Sequence, residues 1–470
     1  MGALSKTAER PNKKARIAPE KAPKASKSRA KASPSSKSAA LAKPAPTREQ
    51  ERLPSSKAKG KAKAKTTDEP EPLPTSFKVV AGSYEKLLYG LEGTVSSDPE
   101  SSRTTFTLKP IFIFPAHVSC IKAVAASPHG GKWLASGSSD EIIKVWDLRR
   151  RKEIGGLMHH EGSITQLDFP SRSHLLSASE DGTLCLFRSR DWVVLRALRG
   201  HKGRVNSVAA HPSGKVALSV GKDRTLRMWD LMRGKGRAST KLPKEGEVVR
   251  WSMDGKLFIV QSGSTIDVYT LEMSLIHTIT HPSRVHDVRF CKRVNGEGEV
   301  LLVGAEDKLL SVYAVSTDPD VRPTMVAKMT GHANRVKSFQ TLSIALPDGT
   351  PTTVVCTVSS DGRLNAYNLG ELPAASASTI VELEPAGTYD SKGTRFTCVT
   401  VADGDVEVAK LLVSKRKRTE EHLESGEESE DKEDDEDGEE WAPIANTQEG
   451  VSEGEEEEEE EEGEEEMESD

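Results

Sequence analysis

One pattern of short apolar runs separated by turn residues recurs along the central part of the chain. Its most regular copy is GHKGRVNSVAAHPSGKVALSVGKDRTLRMWDL, residues 200–231. Turn signals lie at 212–214 and 222–223, and alternating apolar positions fill the intervals between them. Alternation with a period of two predicts consecutive antiparallel strands. Three strands fit this stretch and a fourth precedes the next copy, so we predict a four-stranded unit.

The unit repeats at a nearly constant spacing. A His followed four residues later by a β-branched residue occurs at His117/Ile121, His160/Ile164, His201/Val205, His281/Val285 and His332/Val336. The aromatic residue that closes the third strand falls at Trp146, Phe187, Trp229, Tyr269, Tyr313 and Tyr367. These closing residues are separated by 41, 42, 40, 44 and 54 positions. Such a recurrence, with Gly-His and Trp-Asp marks, is typical of the blades of a β-propeller.

The marks also predict a buried hydrogen-bonded chain in each blade. In families with this pattern the His, a strand Ser, a turn Asp and the Trp are its members. The candidates are His117, Ser136, Asp140, Trp146, His160, Asp181, His201, Ser219, Asp223, Trp229, His281, Asp307, His332 and Asp361. They resemble a hydrolase triad only in residue type. Because they recur and are expected to be internal, we predict a structural role.

Six units end at the closing aromatic residues, and the two ends of the domain supply a seventh. Residues 392–401 have the pattern of a first strand, while 77–114 contain a second, third and fourth. The fourth unit is degenerate, with no His and with Ser-Gly-Ser-Thr at 262–265 in place of the Asp turn. We predict an all-β fold, a seven-bladed propeller over residues 76–402 that is closed by its terminal strands and leaves no exposed edge.

Charge separates two flanking segments from this domain. Residues 1–66 carry 19 Lys and Arg against four acidic residues, whereas 419–470 carry 29 acidic residues against one Lys. We expect 1–75 to be a disordered basic tail and 403–470 to contain a linker, a basic cluster and a disordered acidic tail. The basic tail is suited to non-specific contact with nucleic acid through its phosphates. Candidate nuclear import residues are Lys13, Lys14, Arg16, Lys415, Arg416, Lys417 and Arg418. The alternative for both clusters is a solvated charge run.

Several classes of chemistry find no support in the sequence. The five cysteines lie far apart and form no C-x-x-C pair, which predicts reduced residues of an intracellular protein. No apolar run approaches about 18 residues, so we expect no membrane span. We found no phosphate-binding glycine loop, zinc-protease motif or placeable carboxylate pair. We therefore predict a docking protein without enzymatic activity, cofactor or metal, monomeric within a large complex.

Two surface patterns predict partners. Arginine precedes the β-branched mark at Arg204, Arg284 and Arg335, and Arg395 takes the aligned position in the closing blade. Near one rim these would form a partial cationic ring for an acidic protein segment or an RNA backbone. The alternative is that Arg is a common filler at this position. Residues 134–149 resemble the WD box of substrate receptors for cullin-type ubiquitin ligases, which leaves that function as a further alternative.

The joined blade carries the closest family resemblance. VVAGSYEKLLYGL at 79–91 and FIFPAH at 112–117 resemble the PAK-interacting WD-repeat protein family. This resemblance implies a WD40 scaffold in nucleolar assembly of the large (60S) ribosomal subunit and in pre-rRNA processing. Its implied partners are pre-60S ribosomal proteins and assembly factors, in the nucleus and nucleolus. It also implies, as the alternative, a negative regulator that binds p21-activated protein kinases.

Overall fold

The computed structural model describes residues 73–97, 104–372 and 380–404. These residues form 29 β-strands in seven sheets, together with one 3₁₀ turn at Leu369–Glu371. The ranges contain no helix that is long and apolar enough to cross a membrane. Most of the two predicted tails lies outside the described residues, and so do the candidate import residues at 13–16 and 415–418.

The first half of the described chain forms three blades after three initial strands. The initial strands are β1 (Ser76–Ser83), β2 (Leu87–Ser97) and β3 (Thr104–Pro115). Blade 1 contains β4 (Ile121–Ala126), β5 (Trp133–Ser138), β6 (Ile143–Asp147) and β7 (Lys152–Leu157). Blade 2 contains β8 (Ile164–Ser171), β9 (His174–Ser179), β10 (Thr183–Arg188) and β11 (Val194–Arg199). Blade 3 contains β12 (Val205–Ala210), β13 (Val216–Gly221), β14 (Thr225–Asp230) and β15 (Lys235–Lys241).

Three further blades and a final strand complete the domain. Blade 4 contains β16 (Val248–Trp251), β17 (Leu257–Ser262), β18 (Thr265–Thr270) and β19 (Leu275–Thr280). Blade 5 contains β20 (Val285–Lys292), β21 (Glu299–Ala305), β22 (Leu310–Ala314) and β23 (Thr324–Met329). Blade 6 contains β24 (Val336–Ala345), β25 (Pro351–Ser359), β26 (Arg363–Asn368) and, after β27 (Val381–Leu383), β28 (Gly387–Asp390). The final strand is β29 (Phe396–Asp403).

The closing blade is built from both ends of the domain, in the order β29-β1-β2-β3. Strand β29 pairs with β1 in antiparallel register from Ser83↔Phe396 to Phe77↔Asp403. The prediction of a seven-bladed propeller closed by its terminal strands is confirmed. The first strand begins at Phe396 and not at Lys392, because Gly393 turns the chain at φ +102° just before it.

The first strands of the blades surround a central channel. Strands β4, β8, β12, β16, β20, β24 and β29 each contact the next, and β29 returns to β4. Seven apolar clusters occupy the seven interfaces between neighbouring blades. Each sheet therefore buries its apolar positions against the next sheet, and the ring holds the first strands, with the residues at their starts, in fixed positions.

Blade 5 contains a strand that the sequence pattern did not predict. After the third strand of blade 6, the chain crosses over and adds β27 to the outer edge of blade 5, parallel to β23. Only three residues pair, from Ala327↔Val381 to Met329↔Leu383. A run this short carries no readable alternation, so its pairing is visible only in the structure. The crossing covers one edge that the propeller would otherwise leave exposed.

Candidate docking site at the channel mouth

Blade 3 contains the complete predicted polar chain. His201 Nδ1 lies 3.1 Å from both carboxylate oxygens of Asp223, and its Nε2 lies 2.7 Å from Ser219 Oγ. Trp229 Nε1 donates to the same Ser219 oxygen at 2.7 Å. Because an indole N–H only donates, the serine gives its proton to His201 Nε2, and His201 donates from Nδ1 to the carboxylate. The chain therefore has one direction, from Trp229 to Asp223.

The charges of this chain follow from its burial and its hydrogen bonds. Burial lowers the pKa of His201, so its ring is neutral. Burial alone would raise the pKa of Asp223, but hydrogen bonds from Lys202 N, Thr225 and His201 outweigh it and lower that pKa to about 2. The Asp223 carboxylate is therefore ionised and hydrogen-bonded within blade 3. No group of this hydrogen-bonded chain is left free to act in catalysis.

Blades 1 and 2 repeat this arrangement with one difference. In blade 1, His117 lies 2.9 Å from Asp140 and 2.8 Å from Ser136, to which Trp146 donates at 3.0 Å. In blade 2, His160 lies 2.9 Å from Asp181 Oδ2 and 2.7 Å from the Ser177 hydroxyl. The closing residue of blade 2 is Phe187, which has no N–H to donate. Burial lowers the pKa of both histidines.

Blade 6 keeps only part of the polar chain. His332 Nε2 lies 2.7 Å from Thr357 Oγ1, and its Nδ1 lies 3.4 Å from Asp361 Oδ2. Tyr367 takes the place of Trp and donates its hydroxyl hydrogen to the backbone carbonyl of Thr330. His332 Nδ1 makes no hydrogen bond to another described residue, and the turn is joined to the start of the blade by Asp361 Oδ2, which accepts from Ala333 N at 2.7 Å.

Blade 5 contains an altered chain. Val303 stands at the position that Ser219 occupies in blade 3, as the registers of the second strands show. His281 Nε2 instead lies 3.4 Å from Ser311 Oγ on the third strand and 3.6 Å from Asp307. The sequence marks alone did not reveal this change, because the His and the Asp are both present at the expected spacing.

A cavity of about 630 Å³ lies at the face where the first strands begin. Each of the seven blades contributes to its wall. The lining residues are Tyr84, Cys120, Lys122, Thr165, Glu180, Arg204, Asn206, Glu245, Glu247, Arg284, Lys337 and Thr397. We call this surface the channel mouth. Five of the twelve lining residues lie on first strands, and the other seven lie in the loops and turns beside them.

The four predicted arginines each lie immediately before a first strand, and each faces a glutamate. Arg204 and Arg284 line the channel mouth, while Arg335 and Arg395 stand two positions before the lining residues Lys337 and Thr397. We call these arginines and their glutamates the rim of the channel mouth. The pairs are Arg204 with Glu180 (3.9 Å) and Glu245 (3.8 Å), Arg284 with Glu247 (2.9 Å), Arg335 with Glu306 (4.0 Å), and Arg395 with Glu85 (2.9 Å). The rim therefore alternates in charge and is not a simple cationic ring. The glutamates lie in other loops, where the spacing that marked the arginines could not reveal them.

The paired arginines remain accessible. The side chains of Arg204, Arg284, Arg335 and Arg395 are 46–57% exposed. Exposed ion pairs contribute only about 0–1 kcal/mol each, so an incoming partner can exchange its own charges for them at little cost. Arg395 also lies over the ring of Tyr84 at 4.2 Å, and Tyr84 is 54% exposed. The mouth thus offers both signs of charge and an aromatic surface.

Three further residues of the mouth share a position that sequence reasoning overlooked. Lys122, Asn206 and Lys337 each follow the β-branched residue that begins a first strand. At this position the strand is bulged, so the side chain turns into the cavity. Burial and the neighbouring arginines lower the pKa of Lys337. Aligning the repeats by this β-branched residue would therefore have identified the three positions from the sequence, since each directly follows it.

The described residues also fix the state of the cysteines. All five are free, and four of them are buried. Burial raises the pKa of Cys185, Cys291 and Cys398 to about 12, so these thiols stay protonated at neutral pH. Within the same ranges, no cluster of His, Cys, Asp and Glu could hold a metal ion.

Fold and polar chain together define a WD-repeat β-propeller. The family profile for the WD domain, G-beta repeat (WD40), matches residues 108–147, 151–188 and 192–230. These matches end in blades 1, 2 and 3, where the His, Ser and Asp of the polar chain are all present. The later blades, whose chains are altered or missing, lie outside the matched ranges.

Whole-chain comparisons identify the family within this class. The p21-activated protein kinase-interacting protein 1-like of Danio rerio is 33% identical over 325 residues, covering 69% of this chain and 80% of the relative. Protein MAK11 of Saccharomyces cerevisiae is 29% identical over 391 residues, covering 75% and 88%. Shk1 kinase-binding protein 15 of Schizosaccharomyces pombe is 28% identical over 293 residues, covering 61% and 79%. The chain belongs to the p21-activated protein kinase-interacting WD-repeat family, as its closing blade predicted.

Proposed function

We propose that the protein is a non-enzymatic scaffold in the nucleolar assembly of the large ribosomal subunit and in pre-rRNA processing. In this role it docks ribosomal or assembly proteins at the channel mouth. The observation that carries the proposal is the rim itself, where four exposed arginines, each immediately before the first strand of its blade, pair with glutamates of neighbouring loops. Family membership and the similarity to Protein MAK11 support the assembly role.

The charge arrangement suits clients of a precursor ribosome. Ribosomal proteins are rich in Lys and Arg, and a basic segment can take over Glu247 and Glu85 from Arg284 and Arg395. The released arginines then pair with acidic groups of the same client or of a neighbouring factor. By the same charge complementarity, the acidic segment 419–470 suits basic proteins and the basic segment 1–66 suits rRNA.

Sedimentation tests the assembly role. The tagged full-length chain is expressed in cells, and the lysate is separated on a sucrose gradient. We expect the protein to migrate with large-subunit precursors and to co-purify with ribosomal proteins. Arg284→Glu with Arg395→Glu reverses two rim charges and should move the protein toward light fractions. Lys256→Glu with Lys292→Glu, an equal change in charge at exposed positions away from the mouth, should not. Migration only as a light complex contradicts the proposal.

A kinase-binding role is the second candidate, because relatives from several vertebrates and from Schizosaccharomyces pombe carry kinase-interacting names. Purified full-length protein and a purified p21-activated kinase test it directly. Retention of the kinase by the wild-type protein, together with its loss in the rim variant, would favour this role. No retention at micromolar concentration would remove it.

The ubiquitin-ligase alternative gains no support from the structure. Residues 134–149 form most of β5, all of β6 and the turn beyond them. Ser136 and Trp146 belong to the blade's own polar chain, so the motif coincides with residues that the fold itself requires.

A further inference from the structure

The face opposite the channel mouth is strongly basic over three blades. Because neighbouring strands are antiparallel, this face carries the loops between first and second strands and the turns between third and fourth strands. In blades 1 to 3 these segments hold eight cations and one acidic residue, Asp191. The cations are Lys132, Arg149, Arg150, Arg151, Arg172, Arg190, Lys215 and Arg233, all exposed. We call this set the basic face.

Carboxylates do little to neutralise the basic face. Asp191 is already engaged by Arg188, whose Nε donates to it at 2.9 Å. Arg233 lies 4.0 Å from Asp230, at the limit of an ion pair. The described residues contain no ion pair for Arg150, Arg151, Arg172, Arg190 or Lys215. The arginines of the channel mouth, in contrast, each face a glutamate.

The excess of positive charge is confined to one side of the ring. The corresponding segments of blades 4 to 6 that can be compared are 252–256, 271–274, 293–298, 315–323 and 346–350. They carry three cations and six acidic residues. A general excess of Lys and Arg in the domain would not produce this reversal of sign. The basic face is therefore a localised feature of blades 1 to 3.

We propose that the basic face binds the phosphate backbone of RNA. Six of its eight cations are arginines, and a guanidinium offers a planar pair of donors that matches phosphate oxygens. The cations are spread over three successive blades instead of converging in a pocket. That spread suits a long polyanion, which loses a condensed counterion at each phosphate that is neutralised.

Two tryptophans favour RNA over an acidic peptide. Trp133 and Trp192 are half-buried among the loops of the basic face, and their rings meet edge to face at 5.5 Å. The ammonium group of Lys132 lies over Trp133 at 4.3 Å. Unpaired bases pack against aromatic and cationic surfaces of this kind, whereas a glutamate chain has no ring to place there.

This chain's own acidic segment is the obvious competitor. The described chain ends at the basic face, where Gly404 N donates to Ser76 O at 2.9 Å. The Asp403 carboxylate accepts from Gly130 N, and Arg149 donates to the Gly130 carbonyl at 3.3 Å. The glutamate-rich segment 419–470 comes after residues 405–418 in the sequence. A peptide of this segment therefore belongs in the test as the rival ligand.

The test compares two full-length variants with equal charge changes. The first carries Arg150→Glu, Arg190→Glu and Arg233→Glu, one exposed residue from each blade of the basic face. The control carries Lys256→Glu, Lys292→Glu and Arg322→Glu, three exposed residues of blades 4 and 5. Fluorescence anisotropy measures binding of a fluorescein-labelled 20-nucleotide oligo(U) at several salt concentrations, and of a labelled peptide of residues 449–470.

We expect the RNA affinity of the basic-face variant to fall at least about tenfold. The slope of log affinity against log salt concentration should be smaller by about two, since each contact with a single strand contributes about 0.7 to it. The control should keep the wild-type slope, and matching melting curves should show that both variants are folded. Equal slopes in both variants overturn the proposal. The proposal is also overturned if the basic-face variant binds the acidic peptide more weakly but binds RNA as tightly as the wild type. Because the assay uses purified protein, its failure would leave the proposed assembly role untouched.

Discussion

Blade 3 and the closing blade reach the same four-stranded form by different means. In blade 3 the stabilising polar contacts join residues close in sequence, from His201 to Trp229. In the closing blade the comparable hydrogen bond joins Tyr89 Oη to Thr394 Oγ1 at 2.8 Å, across 305 positions. Lys392 occupies the place of the histidine there, four residues before the first strand, so the His–Ser–Asp chain cannot form.

Apolar packing takes over the stabilising role in the closing blade. The rings of Tyr89 and Phe396 meet edge to face at 5.2 Å, and those of Phe77 and Phe106 do so at 5.8 Å. All four of these residues belong to one apolar cluster, which also includes residues of blade 6. Blade 3 thus adds a polar chain of its own residues to its packing against blades 2 and 4, whereas the closing blade depends on pairing and packing between the two ends of the domain. Experiments can separate these two strategies.

Removing the first strand of the closing blade should have the largest effect. A chain that ends at Ser391 lacks β29 and with it the buried side chains of Phe396, Val399 and Val401. Each such side chain contributes about 1.5–3 kcal/mol, which together approaches the whole stability of a domain. We expect the loss of cooperative thermal unfolding and aggregation through the exposed edge of β1.

The matched control ends at Gly404 and keeps β29. Near-ultraviolet circular dichroism and size-exclusion chromatography should show a folded monomer for the control and not for the shorter chain. A soluble chain ending at Ser391 that melts cooperatively would show that the closing blade is dispensable, and the contrast with blade 3 would fail.

Single substitutions within the closing blade should show that packing outweighs its hydrogen bond. Phe396→Ala removes a ring that is 1% exposed and should cost about 3–5 kcal/mol. Tyr89→Phe removes only the hydroxyl bonded to Thr394 and keeps the ring contact, so it should cost about 1 kcal/mol or less. Urea denaturation measures both. Equal losses would mean that the long-range hydrogen bond stabilises the blade as much as the packing does, which contradicts the prediction.

The two blades also differ in how far the sequence could predict them. The spacing of His201, Asp223 and Trp229 identified blade 3 because all its marks lie within one short stretch. The closing blade was predicted only by counting which strands were missing from the repeat. The glutamates of the channel mouth and strand β27 were not predicted, because they meet their partners through tertiary contacts that no local period encodes.

Breaking the polar chain of blade 3 should have an intermediate effect. Asp223→Ala leaves His201 Nδ1, Lys202 N and the Thr225 groups without their acceptor, which should cost about 1–3 kcal/mol. Asp267→Ala in blade 4 removes only an exposed hydrogen bond to Thr278 and should cost less than about 0.5 kcal/mol. Differential scanning calorimetry compares the two. Equal melting temperatures would contradict the network.

The smallest effect, and the most specific, is a dependence of stability on pH that blade 3 has and the closing blade lacks. Burial lowers the pKa of His201 in the folded state, whereas the unfolded value is about 6.5. As the pH falls through 6.5, the unfolded chain therefore takes up a proton that the folded blade excludes, and the native state loses stability. Asp223, with a folded pKa of about 2, contributes little change until the pH falls below about 5, where the unfolded carboxyl begins to take up a proton.

Between pH 7.5 and 5.5, protonation of His201 therefore changes the free energy of unfolding, whereas protonation of Asp223 does not. His201→Gln should lower the free energy of unfolding at pH 7.5. The free energy of unfolding of the variant should then fall less steeply toward pH 5.5 than that of the wild type, by at most about 1.4 kcal/mol per pH unit below 6.5. Tyr89→Phe removes no histidine and should lower stability equally at both pH values. If His201→Gln kept the full wild-type slope, the neutral histidine would not be part of what stabilises blade 3. The stability of the regular blade would then rest, like that of the closing blade, on packing.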